Sequence, residues 1–416
     1  MEPHFELPFF TNLLILLVSA RIFGELFERV KQPSMIGEII AGILLGPTLL
    51  NLIHRSEDIK VISELGIFLL VIIAGLEINI DDILKSMKGR SIIISMMAFF
   101  LPMLSGMAVG FVFDLPIMTI VFVGLCVAIT ALPVSIRILM DLGKINSEVG
   151  KKIISVAILD DIIALTILGI LLNIKDTDMS FTSILNATLI SILKLIVFII
   201  LLSWVYLIIR RILNRGNYIE ESITKILSLI KGKEPLFALF FAFILLFSTF
   251  TESLGLHFIV GAFFAAMLLS EKLIGKEYMH SIETTTSNMA MGFLAPIFFA
   301  GIGLEFQFQS IDDWGLLSAI IAVSFLSKIL GGFFGGTIAG LDKKTSLILG
   351  VGLNARGIME LVIANIAYKN GLINLEVFSI LVIMGIFTTV FTPFFLKRVF
   401  GVEKADETAI DEKIMM

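Results

Sequence analysis

The segment Val156-Ala-Ile-Leu-Asp-Asp-Ile-Ile-Ala-Leu165 places two adjacent aspartates, Asp160 and Asp161, in the middle of a long apolar run. An apolar run of this length predicts a helix that crosses a membrane. Ionisable groups at that depth are energetically costly, so they occur where they bind an ion, carry a proton or pair with an opposite charge. The two aspartates are therefore the first candidates for a functional site.

The rest of the chain has the composition of a polytopic membrane protein. Of its 416 residues, 57% are hydrophobic and 16% are charged, and the mean hydropathy is +1.01. Apolar runs of membrane-spanning length must be helical, because only a helix satisfies its own backbone polar groups in lipid. The sequence predicts an all-α membrane protein with about thirteen transmembrane helices. The predicted spans cover roughly 8–29, 34–52, 60–78, 91–113, 116–141, 147–173, 184–212, 234–252, 256–271, 284–305, 313–340, 343–369 and 374–399.

The charges in the short loops predict the orientation in the membrane. Most Lys and Arg residues lie in alternate loops on one face, and the positive-inside rule places that face in the cytoplasm. This predicts a multi-pass plasma-membrane protein with its N-terminus outside and its C-terminus inside. The basic stretch before the eighth span is interpreted as such a loop with an interfacial helix, so lipid and not nucleic acid is the expected partner.

Two glycine-rich segments predict an internal inverted repeat. Gly66-Ile-Phe-Leu-Leu-Val-Ile-Ile-Ala-Gly-Leu-Glu77 resembles Gly292-Phe-Leu-Ala-Pro-Ile-Phe-Phe-Ala-Gly-Ile-Gly-Leu-Glu305. An odd number of predicted spans separates them, so the two copies would cross the membrane in opposite directions. We predict two inverted six-helix repeats joined by the seventh span. Chance similarity between glycine-rich apolar helices is the alternative.

Two predicted spans contain residues that interrupt a helix at mid-membrane. The interruptions are Thr130, Ala131, Leu132 and Pro133 in the span over 116–141, and Asn354, Ala355, Arg356 and Gly357 in the span over 343–369. Proline removes a backbone donor, whereas asparagine and glycine tolerate non-helical dihedrals. Broken helices at matching positions of inverted halves indicate a substrate site. A simple proline kink, and an arginine near the cytoplasmic boundary, are the alternatives.

Four ionisable side chains lie near the predicted midplane: Asp160, Asp161, Lys328 and Arg356. Consecutive helical residues point about 100° apart, so one aspartate can pair with Lys328 while the other faces a water-filled cavity. This division suits a cation/proton exchanger, because a carboxylate binds either Na⁺ or H⁺ and a neighbouring charge tunes its protonation. Arg356 and Glu360 are spaced i, i+4 and are predicted to form a structural ion pair.

Together these motifs resemble those of NapA-type Na⁺/H⁺ antiporters, in the branch of the cation:proton antiporter superfamily that also holds the NhaA and Kef-type proteins. The resemblance covers nearly the whole chain and includes Gln32-Pro-Ser-Met-Ile-Gly-Glu-Ile-Ile-Ala-Gly-Ile-Leu-Leu-Gly-Pro47. It implies an NhaA-like fold and a homodimer. It also implies that Na⁺, and also Li⁺, is exchanged for H⁺ by elevator-like alternating access. The exchange would be electrogenic, with two protons per Na⁺, and would serve pH and sodium homeostasis.

The same resemblance implies a division of the chain and roles for the site residues. The parts are a dimerisation or panel domain (1–90 and 234–312), a core transport domain (91–173 and 313–399), a linker helix with a cytoplasmic amphipathic loop (174–233) and a short cytoplasmic tail (400–416). Asp161 would bind Na⁺ and carry the proton, Asp160 would pair with Lys328, and Thr130 with nearby backbone would assist at the helix crossing. No cofactor and no nucleotide-binding regulatory domain are expected, which argues against a Kef-type gated potassium efflux system.

Other functions remain as alternatives. A K⁺/H⁺ antiporter of the same fold is the nearest one, because selectivity depends on cavity geometry. An intramembrane aspartyl protease also needs two aspartates, but on separate helices that face each other across a substrate. A passive channel would conduct without strict coupling to protons.

Overall fold

The structure, a computed structural model, describes residues 8–30, 32–53, 57–76, 91–130, 135, 139, 144, 147–174, 181–214, 234–254, 257–269 and 275–400. The described segments are almost entirely helical. In chain order the helices are α1 Phe9–Arg29, α2 Ser34–Leu45, α3 Glu57–Leu76, α4 Ser91–Val112, α5 Ile117–Ala128, α6 Glu148–Ile174, α7 Phe181–Asn214, α8 Glu234–Ser253, α9 Phe258–Leu268, α10 Lys276–Met289, α11 Ala295–Glu305, α12 Trp314–Ile338, α13 Lys343–Gly352, α14 Ile358–Lys369 and α15 Leu375–Phe400.

The helices confirm the predicted all-α polytopic class. Within the described ranges, 8 helical segments are long and apolar enough to cross a membrane, and α2, α5 and α9 are shorter apolar helices. The predicted count of about thirteen spans is not confirmed. Short apolar helices account for part of the difference, since a span of broken helix does not reach the length that a continuous crossing requires.

Several helix boundaries differ from those predicted by hydropathy. The predicted span over 34–52 stops as a helix at Leu45, where Gly46 adopts an extended conformation (φ −80°, ψ −174°). The predicted span over 284–305 begins earlier, at Lys276, and a π-helical turn over Ala290–Leu294 joins α10 to α11. Hydropathy marks only the part of a helix that suits lipid, so polar turns beyond it are missed.

One compact unit comprises residues 1–84 and 162–307. Its α2 and α11 cross at backbone contact: a Cβ added at Gly42 would lie 2.0 Å from the carbonyl oxygen of Ala300, and one at Gly303 would lie 2.1 Å from that of Ile39. Small residues allow membrane helices to approach this closely, because side chains do not separate the backbones. Gly303, a glycine of the predicted repeat, thus serves helix packing in this unit.

The second compact unit comprises residues 85–161 and 308–416. Within it, α12 packs against α4 and α13 through two sets of glycines: Gly331 and Gly335 face α4, whereas Gly332 and Gly336 face α13. The boundary between the units falls within α6, after Asp161, whereas the predicted core domain extended to residue 173. The predicted transport and dimerisation roles of the two parts stay predictions.

A methyl group added at Gly303 is expected to destabilise the protein. Its Cβ would lie 2.1 Å from the carbonyl oxygen of Ile39, so α2 and α11 must separate. Overpacking of this kind costs ~1–3 kcal/mol. Thermal unfolding of detergent-solubilised Gly303→Ala measures the loss. The matched control is Gly292→Ala, because nothing lies within 4 Å of its added Cβ. Equal unfolding temperatures for the two variants would contradict the close crossing.

Candidate functional site

The candidate site is built around the end of α5. The helix stops at Ala128, and Ile129 is already extended (φ −69°, ψ 145°). The carbonyls of a final helical turn have no donors within their own helix, and in a membrane there is no bulk water to supply them. The helix thus ends two positions before Thr130, the first residue of the predicted interruption. The other residues of that interruption, Ala131, Leu132 and Pro133, lie outside the described residues.

Two cationic side chains satisfy the carbonyls at this helix end. Arg356 donates from Nη1 to the carbonyl oxygen of Cys126 and from Nη2 to that of Val127, each at 2.5 Å. Lys328 donates from Nζ to the carbonyl oxygen of Ala128. Cations are also favoured at a helix C-terminus by the helix dipole. Three successive carbonyls of α5 therefore each accept a hydrogen bond from a positive charge.

The second predicted interruption separates α13 from α14. Helix α13 ends at Gly352 and α14 begins at Ile358, which confirms a discontinuous helix at the predicted place. Side chains from neighbouring helices and the segment itself hold the connection: Asn354 Nδ2 donates to the carbonyl oxygen of Phe325 at 3.0 Å, and Thr389 Oγ1 donates to that of Arg356 at 2.6 Å. The unwound segment thus contacts both α12 and α15.

Asp160 forms a buried ion pair with Lys328. The distance from Lys328 Nζ to Asp160 Oδ2 is 2.8 Å, and both side chains are 0% exposed. Thr130 Oγ1 lies 2.7 Å from the same carboxylate oxygen and 3.1 Å from the carbonyl oxygen of Leu353. A buried pair needs such additional hydrogen bonds to offset the loss of hydration. Thr130 therefore links the ends of both broken helices to the ion pair.

Asp161 follows Asp160 on α6 and is also buried, with 1% of its surface exposed. Its charge acts on Lys328. Earlier residues of the same helix, Ile153 and Val156, belong to a buried apolar cluster with residues of α4 and α13, which fixes this part of α6 in the second unit. The structure thus brings Asp160, Lys328, Thr130, Asn354 and Arg356 together, with Asp161 on the adjoining helical position.

Arg356 and Glu360 are arranged differently from the predicted ion pair. Arg356 precedes Ile358, the first residue of α14, so the spacing of four residues is not one helical turn. The terminal nitrogens of Arg356 donate to backbone carbonyls, including that of Ser324 at 3.2 Å. In the part of the chain that the structure describes, neither carboxyl oxygen of Glu360 has a hydrogen-bond partner. Arg356 therefore donates hydrogen bonds to backbone carbonyls, whereas the spacing predicted a pair with the carboxylate of Glu360.

Sequence reasoning did not identify Thr389 or the carbonyl acceptors of α5. Backbone carbonyls leave no signal in residue identity. A signal for Thr389 did exist, because Thr388, Thr389 and Thr392 are three polar residues in the otherwise apolar stretch 380–396 of α15.

Comparison with known proteins decides the family. The family described as sodium/hydrogen exchanger, transmembrane, matches residues 13–401. The chain belongs to this exchanger family. The exchanger is 31% identical over 400 residues to the Na⁺/H⁺-K⁺ antiporter GerN of Bacillus cereus, and the match covers 95% of this chain and 97% of that protein. It is 29% identical to the Na⁺/H⁺ antiporter NhaS4 of Synechocystis sp., covering 94% of this chain and 97% of that protein.

A solved structure supports the fold. The exchanger matches the sodium proton antiporter MjNhaP1 from Methanocaldococcus jannaschii with a TM-score of 0.69, covering 93% of this chain and 95% of that one. The two sequences are 16% identical, so the likeness concerns the fold alone. The predicted membership of the cation:proton antiporters is confirmed, although not the NapA type. The protein is an integral membrane antiporter that exchanges a cation for protons.

Removing the positive charge of Lys328 is expected to destabilise the exchanger more than removing both partners of its ion pair. Lys328→Met leaves Asp160 charged and buried, and breaking a buried pair from one side costs ~3–5 kcal/mol. Asp160→Asn combined with Lys328→Met removes that charge, so most of the loss should be recovered. Thermal unfolding of the single and double variants in detergent measures the coupling.

The control for this series is Lys343→Met, at an exposed position at the start of α13. Its unfolding temperature should stay close to that of the native chain. Additive losses in the double variant would contradict the pairing of Asp160 with Lys328.

Proposed function

We propose that this exchanger carries Na⁺, and also Li⁺, against H⁺ across the plasma membrane, for pH and sodium homeostasis. The observation that carries the proposal is the buried Asp160–Lys328 ion pair beside Asp161. The pair and the Thr130 hydroxyl commit Asp160 to a fixed arrangement. Asp161 is then the carboxylate for which Na⁺ and H⁺ compete.

Competition for one carboxylate is sufficient for antiport. An ionised carboxylate in a medium of low dielectric constant is unfavourable, and either Na⁺ or H⁺ neutralises it. If the site changes the side of the membrane to which it opens only when neutralised, each Na⁺ that crosses is exchanged for protons that cross the other way. Alternating access of this kind needs no hydrolysis, because the gradient of one ion drives the other.

The oxygen atoms available in the second unit would suit an alkali cation. Hard cations prefer carboxylate, carbonyl and hydroxyl oxygens. The interrupted helices bring non-helical backbone into the second unit, and Thr130 adds a hydroxyl. At this site Na⁺ is a transported substrate.

Electrogenic exchange needs a second proton carrier besides Asp161, and we assign this role to Lys328. A Na⁺ ion bound at Asp161 adds a positive charge close to Lys328, whose charge already interacts with Asp161. Like charges in a buried site favour the loss of a proton from the amine. Release of that proton would give two protons for each Na⁺.

Exchange of K⁺ for H⁺ is the second candidate. It is favoured by the likeness to GerN, which is described as a Na⁺/H⁺-K⁺ antiporter and is 31% identical. The same carboxylate would serve both ions, and the arrangement of oxygen ligands would decide between them.

Asp161→Asn is expected to abolish cation-dependent proton movement while the protein stays folded, because asparagine neither binds a cation by charge nor carries a proton. The measurement is proton flux in proteoliposomes under an imposed pH gradient, with Na⁺, Li⁺ and K⁺ added in turn. Signals with Na⁺ and Li⁺ that disappear in the variant support Na⁺/H⁺ exchange. A signal with K⁺ alone would move the assignment to the second candidate.

Asp312→Asn is the matched control, since it makes the same substitution at an exposed residue of the same unit. It should leave the flux unchanged. Full activity of Asp161→Asn would exclude Asp161 as the transport carboxylate.

Voltage dependence tests the stoichiometry. The initial rate of Na⁺-driven proton movement should change when a membrane potential is imposed with a gradient of a permeant anion. The voltage dependence should disappear in Asp160→Asn/Lys328→Gln, which lacks the second proton carrier but leaves no unpaired buried charge. A native rate that is independent of voltage would indicate electroneutral exchange.

A further inference from the structure

Glu360 is a fully buried carboxyl group that the proposed exchange does not use. It lies in the first turn of α14 and is 0% exposed. Neither Oε1 nor Oε2 has a hydrogen-bond partner among the described residues. A buried ionised carboxylate without donors is strongly unfavourable, because burial removes hydration without replacing it. The position of Glu360 therefore needs a ligand, and the smallest one is a proton.

Helix α15 presents a polar face to Glu360. A Cβ added at Gly385 would lie 3.4 Å from Glu360 Oε1 and 3.5 Å from Oε2, so the carboxyl group lies directly beside α15 at this residue. Thr388, Thr389 and Thr392 continue the same face at helical spacing, and all three are 0% exposed. We call Gly385, Thr388, Thr389 and Thr392 the threonine stripe.

The hydroxyl groups of the threonine stripe retain acceptor capacity. Thr388 donates to the carbonyl oxygen of Met384 at 2.9 Å, Thr389 to that of Arg356 at 2.6 Å and Thr392 to that of Thr388 at 2.6 Å. A hydroxyl group that donates its proton still has lone pairs that accept one. The stripe thus places three hydroxyl groups with acceptor capacity on the face of α15 that contains Gly385, the residue beside Glu360.

The balance of charge in the second unit leaves room for a proton on Glu360 when Asp161 is unoccupied. Three buried carboxyl groups, Asp160, Asp161 and Glu360, accompany two buried cations, Lys328 and Arg356. With every group ionised, the buried set carries an excess negative charge. A proton on Glu360 and a cation or proton on Asp161 each remove the excess without disturbing the Asp160–Lys328 pair.

The ionised form of Glu360 is nevertheless stabilised by its surroundings, so the carboxyl group can lose its proton as well as bind it. Glu360 lies at the N-terminus of α14, where the helix dipole stabilises negative charge. The charged group that acts on it from a neighbouring element is Arg356, on the unwound segment, and the thiol of Cys126, on α5, is the ionisable group on which Glu360 acts in turn. The threonine stripe of α15 contributes no ionisable group. The helix dipole and Arg356 therefore favour the ionised form of Glu360, whereas burial favours the protonated form.

We propose that Glu360 is a further proton-binding site of this exchanger, separate from Asp161 and Lys328. Its part in transport rests on the proposed function. The protonation of Glu360 does not, because a carboxyl group that binds a proton does so whether or not a cation is carried.

Infrared difference spectroscopy of the full chain in detergent, recorded as the pH is raised, tests proton binding directly. The native chain should show a protonated carboxyl band that is lost on deprotonation. The band should be absent in Glu360→Gln and should persist in Asp161→Asn, apart from any band of Asp161 itself. Glu360→Asp keeps a carboxyl group and should keep a shifted band, which guards against loss of the band through misfolding. A native spectrum identical to that of Glu360→Gln would overturn the proposal.

The pH profile of exchange tests the role in transport. With Na⁺, Li⁺ and K⁺ each used as the driving ion, Glu360→Gln should move the pH of half-maximal rate by about one unit or more, since one linked proton is removed. Glu148→Gln, at an exposed glutamate, should leave the profile unchanged. An unshifted profile in Glu360→Gln would overturn the role in transport. Loss of exchange in the native chain with every cation would instead refute the proposed function and leave the spectroscopic result standing.

Discussion

The structure of the second unit depends on one constraint: α5 ends inside the membrane, and its final carbonyls must find donors there. Arg356 and Lys328 supply these donors to Cys126, Val127 and Ala128. A neutral donor would satisfy the hydrogen bonds, but a cation also interacts favourably with the helix dipole. The interruption of α5 thus explains why two positive charges are buried.

Buried cations in turn require anions. Asp160 neutralises Lys328 at 2.8 Å, and Thr130 connects that carboxylate to the end of α13. Each contact therefore serves stability and places a charge near Asp161 at the same time. An arrangement of this kind has little tolerance for removal of one member, because every lost charge leaves its partner buried.

The sequence was sufficient for the fold class and for much of the site, since charges in apolar runs are conspicuous. Asp160, Lys328 and the two interruptions were identified from residue type and spacing alone. The partners of Arg356 were not, because the i, i+4 spacing was interpreted as a helical turn, whereas α14 begins only at Ile358. Helix ends depend on packing: Leu45 ends α2, and α10 begins at Lys276, at positions that hydropathy does not mark.

The glycines of α12 have a further consequence for Lys328. Gly331 and Gly335 hold the backbone against α4, while Gly332 and Gly336 hold it against α13. A helix fixed on two sides cannot slide to compensate for a shorter or longer side chain. With the α12 backbone held in this way, the four-carbon stem of lysine spans the distance from that backbone to Asp160. A substitution of Lys328 that keeps the ion pair would therefore have to preserve the length of the side chain as well as its charge.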